Sequence, residues 1–449
     1  MNATNYLSKS RGVKNLSLRM FSIVSRFGLT SRKFDYLMRK FGRVTSDLGC
    51  VPTFAITAVT LKRNPRVVRE LCQNGVEFAV HGYIHTDYGV VPMDEQVRHF
   101  QQAIDTFQTC QVPYTGFRAP FLRINGKTPK ALRRFGFPYD SSHSVHWDVL
   151  DRASYSDDMW HEYERLLSFY NSRMDCNYIA LPRSDDGLVE IPVSIPDDEA
   201  LIERLGVTQG ESIGAIWQEM LKRTYDRGEL FTLQLHPERI DLCESALASV
   251  IRKARSYTPS VWVASLREIS EWWQEKDCFA FDVYHESKDR YKVKAGCTDR
   301  AGILIKNCET DVSADEWFDG YKIVNAREFC IETAKRPSIR VSKNIDPAVS
   351  AFLRNEGFVV ESDGTDGDCG IIIDDLDRFT EADEKPLLER IEKSQAPLLR
   401  FWRWPDRARS AISVTGDIDA ITLVDFGLRI LENWRQNGKN NGNGRNGKN

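Results

Sequence analysis

VEFAVHGYIHTDY, residues 76–88, is the stretch on which the reading of this chain turns. Val76 to Val80 is a short apolar run behind Gly75, the pattern of a strand buried on both faces. It ends in His81, and His85 follows four residues later. A strand end that carries two imidazoles is a way to build a metal site on an α/β sheet, because such folds place their chemistry at the C-terminal ends of strands. With eight histidines in the chain, one H-x-x-x-H pair proves nothing without its surroundings.

The surroundings alternate strand and helix. Upstream, Phe34–Phe41 has helical spacing of apolar residues and Pro52–Val59 reads as a strand. Asn64–Asn74 reads as a short helix, with Asn64 as cap and Pro65 at the first position. Downstream come a helix over Asp94–Thr109, a strand-like turn at Tyr114–Leu122, a helix over Thr128–Phe135 and a strand end at Phe137–Ser142. Residues 143–185 read as mostly helical, and Val189–Val193 as a strand followed by Asp197 and Asp198. A helix over Ser212–Arg227, the strand Glu229–Leu235 ending in His236, an amphipathic helix over Asp241–Ser256 and a last strand, Ser260–Leu266, complete the pattern. The expected fold is α/β, a parallel sheet or barrel with helices outside, its main part spanning 1–275. Beyond it lie a small antiparallel β-rich domain, 276–342, and a small α/β region, 343–400. Residues 401–436 hold the strand Ala411–Thr415, ending in Gly416–Asp417–Ile418–Asp419, and a helix over Ile421–Trp434; the Gly/Asn/Lys-rich stretch 437–449 is expected to be disordered.

Composition narrows the class. The 449 residues predict two or three domains, and 41% hydrophobic with 28% charged residues is ordinary for a soluble globular protein. A net charge of −3 gives no sign of a nucleic-acid partner. No apolar run is long enough to span a membrane, and the first residues lack the apolar core of a signal peptide. The ten cysteines form no C-x-x-C pair and read as reduced thiols, so a cytoplasmic location is expected. Residues 1–45 are basic, with Leu18, Met20, Phe21 and Val24 interleaved. That suits either a surface helix packed on its own domain, the favoured reading, or peripheral contact with anionic lipid at the inner membrane face. The acidic stretch Glu361–Glu384 reads as solvated surface.

Four segments share one design, a strand followed by a polar residue at its C-terminal end: Asp417 and Asp419, His81 and His85, Arg118, and His236. Two imidazoles and a carboxylate suit a divalent ion, zinc before others, with positions left for water and substrate. Hydrolysis by a metal-bound water also needs a base and an acid, which a second carboxylate and a third histidine would supply.

With these motifs the chain resembles the polysaccharide deacetylase family with a NodB-homology domain (carbohydrate esterase family four), which hydrolyses acetyl groups on glycans. HGYIH, with His81 and His85, is similar to the family's metal-binding histidine motif; FRAPF, with Arg118, to its arginine motif; LQLHPE, with His236, to its C-terminal histidine motif. Asp197–Asp198 resembles the acidic motif that tunes that histidine, TGDID the D-x-D form of the aspartate motif, and Tyr139–Ser142 the sequence downstream of the arginine motif. The resemblance implies a distorted (β/α) barrel. It also implies metal ligation by Asp419, His81 and His85, Asp417 as base steadied by Arg118, and His236 as acid with Asp198 or Asp197 as partner. The Pro120–Phe121 turn would line the oxyanion site. Phe121 stands where the family has tyrosine, and a backbone N–H serves equally from either.

One departure is large. The aspartate motif opens the family's domain and here lies near residue 417, so a circular permutation is expected, with 276–400 inserted between the two pieces of the barrel. The alternatives are that TGDID completes a neighbouring subunit's site, or that it is coincidental. The expected activity is metal-dependent removal of an acetyl group from an N-acetylated sugar, as a glycan or a lipid- or nucleotide-linked precursor. The rivals are an amidohydrolase acting on a non-sugar amide, an inactive barrel that only binds glycan, and a docking role for 276–400. Self-association stays open.

Overall fold

The computed structural model describes residues 26–362 and 368–432. The basic stretch through Val24, part of the acidic run after Glu361 and the tail 437–449 lie outside the described residues.

Seven strands form the main path of the principal sheet, in the spatial order Glu77–Val80, Thr53–Ile56, Ser410–Ile418, Leu230–Gln234, Val193–Ile195, Ser144–His146 and Arg173–Met174. Each neighbouring pair along this path is parallel. Ser410–Ile418 is buried along its whole length. It lies between Thr53–Ile56 and Leu230–Gln234, and Val261–Val263 flanks its first residues. The expected strand Ala411–Thr415 is therefore longer at both ends.

Register sorts the side chains. Residues paired across parallel strands share a face, and the next residue in each strand takes the other. Ala79, Ala55 and Asp417 are paired, and so are Thr415 and Gln234. One face of these strands therefore carries Ala55, Ala79, Thr415, Asp417 and Gln234, small or polar, with His81 and His236 two residues beyond paired positions. The other carries Phe54, Ile56, Phe78, Val80, Val414, Ile418 and Leu233, all buried in one apolar cluster with the covering helices. Gly416 belongs to that second face. A Cβ there would lie 2.2 Å from the Leu235 carbonyl oxygen and 2.9 Å from the Phe54 ring, so the strands can approach only with glycine at this position.

The expected barrel is not closed by continuous ladders. From Glu77–Val80 the sheet reaches Tyr139–Asp140 only through single parallel bridges at Phe117, to Val80 and to Asp140. Tyr139–Asp140 then pairs with Leu188–Glu190. The segment expected as one strand over Val189–Val193 is two, Leu188–Glu190 and Val193–Ile195, with Pro192, which has no N–H to donate, between them. The mostly helical reading of 143–185 is corrected: beyond a 3₁₀ turn at Arg152–Ser154, only Asp157–Tyr170 is helical, among short strands. Aromatic residues there, including Trp147, Tyr163 and Tyr170, fill the core rather than mark one amphipathic helix. The strand expected over Pro52–Val59 stops at Ile56, and Ala58–Arg63 is a helix. Asn64 precedes the helix Pro65–Gln73 without capping it; its side-chain amide donates to the Thr60 carbonyl and to Asp425.

After the helix Leu266–Lys276, opened by a capping box of Ser265 and Glu268, two antiparallel sheets and a parallel one follow. Arg336–Val341, read from sequence as part of the antiparallel domain, pairs in parallel with Val360–Ser362 and Cys369–Ile373. Leu398–Phe401 pairs with Ile303–Lys306, so the chain leaves this region only just before Ser410. The region is packed firmly on the main sheet. Trp272 donates to the Arg403 carbonyl (2.9 Å), Trp404 to that of Gly228 (2.8 Å), and buried Glu356 accepts from Arg400 and Arg403. No described helix is long and apolar enough to cross a membrane.

Candidate active site

The site is built on the polar face of the sheet at the C-terminal ends of its strands. His81 leaves Glu77–Val80, and Gly82, with φ of +79°, turns the chain so that His85 folds back beside it; the two ring centroids are 5.3 Å apart. A side chain at Gly82 would meet the Tyr88 hydroxyl at 2.7 Å. His81 Nδ1 donates to the Arg118 carbonyl (2.8 Å). A carbonyl only accepts, so the proton sits on Nδ1 and the Nε2 lone pair is free. That lone pair faces Asp419 Oδ1 at 3.4 Å, and His85 Nε2 lies 3.1 Å from the same oxygen. Asp419 Oδ1 and His85 Nδ1 are both buried with no hydrogen-bond partner.

A lone pair held against a buried carboxylate oxygen is unfavourable unless a cation lies between. One donor atom from each of His81, His85 and Asp419 falls within 4.8 Å of the others. Two imidazoles and one carboxylate, with remaining positions open, fit a zinc-like divalent ion. Burial and the nearby Arg429 push His85 down to about 4, despite Asp419, so its imidazole is neutral, the form that ligates. Asp419 is held well below the usual carboxylate range: burial works against ionisation, but in the acid range where His85 is itself charged, His85 and Arg429 more than offset it.

Asp417 lies behind this cluster, 3.9 Å from His81 Nε2. Arg118, 1% exposed, donates from Nη1 to Asp417 Oδ1 (3.3 Å) and to the Thr415 hydroxyl (2.9 Å). Its other nitrogens are held by Ser141, Nε on the carbonyl (3.0 Å) and Nη2 on the hydroxyl (2.9 Å). Ser142 accepts from the Ala119 backbone and donates to Asp140. Gln234 donates to Asp417 Oδ2 (3.2 Å), so both carboxylate oxygens of Asp417 are engaged by donors.

His236 follows Gln234 by two residues on the adjacent strand. Its Nδ1 is 2.9 Å from Asp198 Oδ1, its backbone N–H donates to Asp198 Oδ2 (2.9 Å), and Arg239 donates to the same oxygen (3.1 Å). Burial alone would lower the His236 pKa; the Asp198 carboxylate raises it to about 10. Asp198 itself is lowered, against its burial, by His236 and Arg239. Asp197 is not the partner: it accepts from the Ala200 backbone (2.8 Å) and its other oxygen is buried without one. Pro120 opens the turn Pro120–Leu122. Phe121 takes a φ of +61°, uncommon for a bulky residue, and sets its ring edge against His85 at 4.4 Å.

The structure thus groups His81, His85, Asp417, Asp419 and Arg118, sets His236 with Asp198 beside them through Gln234, and places Phe121 against His85. Sequence reading missed Thr415, Gln234, Arg239 and Arg429 as parts of the site. Arg239, three residues after His236, was within reach of inspection. Arg429 was not, because nothing in its own segment marks it.

Parallel strands whose C-terminal ends gather imidazoles, carboxylates and a buried arginine are where α/β folds place their active sites. Residues 39–139 match the model of the polysaccharide deacetylase family. The peptidoglycan deacetylase-like protein FGM2 of Gibberella zeae is 33% identical over 99 residues, 21% of this chain and 28% of that protein, so the chain spans less than a third of this relative. Among solved structures, a Mycobacterium smegmatis protein assigned to the polysaccharide deacetylases superposes with a TM-score of 0.42 at 22% identity, over 56% of this chain and 81% of the other. The PuuE allantoinase gives 0.41 at 18%, over 53% and 72%.

Proposed function

We propose that this protein is a metal-dependent hydrolase that removes an acetyl group from an N-acetylated sugar. The observation that carries the reading is that Asp417 and Asp419, from a strand near the end of the described chain, meet His81, His85 and Arg118 on one face of the sheet. Asp419, His81 and His85 would hold the ion, zinc by the chemistry of the donors. When bound, it supplies a Lewis acid that activates water and polarises a carbonyl. Asp417 is the base that takes the proton of the attacking water. Arg118 and Gln234 fix its two oxygens by hydrogen bonds. The Phe121 ring packs on His85, and the backbone N–H of this turn would serve the developing oxyanion. His236, charged below about pH 10 through Asp198, is the acid that gives its proton to the leaving amine.

The chain order fits a circular permutation. In this reading Ser410–Ile418 takes the place of the strand that normally opens the domain, and the region between Lys276 and Leu398 is an insertion. A cytoplasmic enzyme would meet precursors, so lipid- or nucleotide-linked acetamido sugars are the proposed substrates. Metal analysis of the purified protein beside Asp419→Ala tests the core of the reading. About one divalent ion per chain in wild type, lost in the variant, supports it; equal metal in both removes Asp419 from the site. Acetate release from a panel of acetamido sugars, with cyclic amides alongside, then tests the substrate.

A further inference from the structure

Asp419 uses its two oxygens differently. Oδ1 faces the imidazoles of His81 and His85 with no hydrogen-bond partner, while Oδ2 accepts from Arg429 Nη1. Arg429 comes from helical residues 423–432, which follow Asp419 closely and are anchored by several contacts. Buried Asp425 accepts from Arg63 Nε (2.5 Å), Asn64 (3.0 Å) and the Thr422 backbone (3.2 Å). Glu432 accepts from Arg63 Nη1 (2.8 Å), and Phe426 stacks on Phe27 at 5.5 Å. The guanidinium of Arg429 lies 5.5 Å from the Phe426 ring, and its side chain is only 21% exposed. It therefore approaches Asp419 from a defined direction rather than as a free surface arginine.

We infer that Arg429 is a positioning residue that restricts Asp419 to ligation through a single oxygen. The inference rests on the reading of His81, His85 and Asp419 as a divalent-metal site. A carboxylate with both oxygens free can rotate or chelate through both. With Oδ2 held by a guanidinium, which stays protonated throughout the working range, only Oδ1 can turn toward the imidazoles. The same charge opposes cation binding, so two effects compete and predict opposite signs. If orientation dominates, removing the guanidinium weakens metal binding; partners that orient a ligand are typically worth about 10–100-fold in affinity. If charge dominates, removing it tightens binding.

The test compares wild type, Arg429→Met and Arg429→Lys, each stripped with chelator. Zinc affinity is measured by competition with a chromogenic chelator, and the visible spectrum of the cobalt-loaded protein reports the coordination number. Circular dichroism shows that each variant is folded. Expected are roughly a 10-fold or greater loss of zinc affinity in Arg429→Met and a weaker cobalt absorption as Asp419 takes up bidentate ligation. Arg429→Lys, which keeps the charge but not the rigid fork, should fall between and shift the spectrum the same way. It also carries the test if the methionine variant does not fold. Zinc binding unchanged or tighter in a folded Arg429→Met, with the wild-type cobalt spectrum, overturns the inference and leaves the three-residue site standing. Wild type that binds neither zinc nor cobalt overturns the site itself.

Discussion

Two corners of this molecule are made from the same three residue types and leave their histidines in opposite protonation states. In one, His85 lies against Asp419 with Arg429 behind the carboxylate; in the other, His236 lies against Asp198 with Arg239 behind the carboxylate. His85 is pushed down to about 4 and His236 up to about 10. For His85, burial and the arginine outweigh the carboxylate. For His236, Asp198 bonds both the ring and the backbone of the same residue, and that grip outweighs burial. One corner therefore offers lone pairs and the other a proton, which is the division of labour a hydrolase needs. Residue type alone cannot assign these roles; the direction of approach and the number of bonds to each carboxylate oxygen do.

Asp417→Asn should lower turnover by on the order of 10²–10⁴-fold while zinc content stays at the wild-type level, if Asp417 is the base of the proposed scheme and not a ligand. Turnover near wild type would remove the base from the scheme. Asp198→Asn should next move the alkaline limb of kcat/KM from near pH 10 toward the ordinary imidazole range around 6.5, and the same change made to Asp197 should leave that limb in place.

The Asp198 corner also predicts a pH-dependent stability. His236 has a raised folded pKa, so its contribution is full below about 6.5 and is lost as pH rises through about 10. Asp198 has a depressed one, so its contribution is full above about 3.8 and is lost as pH falls through the lowered value. Urea melts of wild type and Asp198→Asn should thus differ most between about pH 4 and 6.5, by about 3–5 kcal/mol for a broken buried pair. A difference that does not narrow toward pH 10 would contradict the assignment.

Zinc at about a hundred times its dissociation constant should stabilise wild type by about 2.7 kcal/mol and Asp419→Ala far less, read as a shift in thermal midpoint. The smallest effect concerns the sheet between the corners: Gly416→Ala should cost about 1–3 kcal/mol, because the added methyl meets the Leu235 carbonyl and the Phe54 ring.

Much of the site was legible because each of its main residues ends an apolar run. His81 after Val80 and His236 after Leu235 follow that rule, Asp417 comes near the end of Ser410–Ile418, and parallel strands bring such ends to one side of the sheet. Arg118 was read as ending a strand, yet Phe117 before it pairs by isolated bridges and not in a regular strand. The choice between Asp197 and Asp198 was not legible, because the two leave the sheet in a non-strand segment with no period to read. The interval 143–185 misled because aromatic density carries no direction: Trp147 and Tyr163 are buried from a loop and a helix alike. Arg429 was invisible because its partner lies across a turn, and its spacing from Asp419 fits neither strand nor helix.

Ser410–Ile418 occupies an inner position of the sheet, yet of its neighbours Thr53–Ile56 precedes it by most of the chain and Leu230–Gln234 by more than a third of it. During synthesis those neighbours emerge first, with the slot between them unfilled. Two hydrogen-bonding edges then wait for a partner still to be translated, the situation in which nascent chains most readily pair with one another. Assembly of this protein should therefore be slow for its size and sensitive to helper proteins that shield such edges, and a ribosome-arrested chain ending before residue 410 should be markedly more prone to aggregation than the released one.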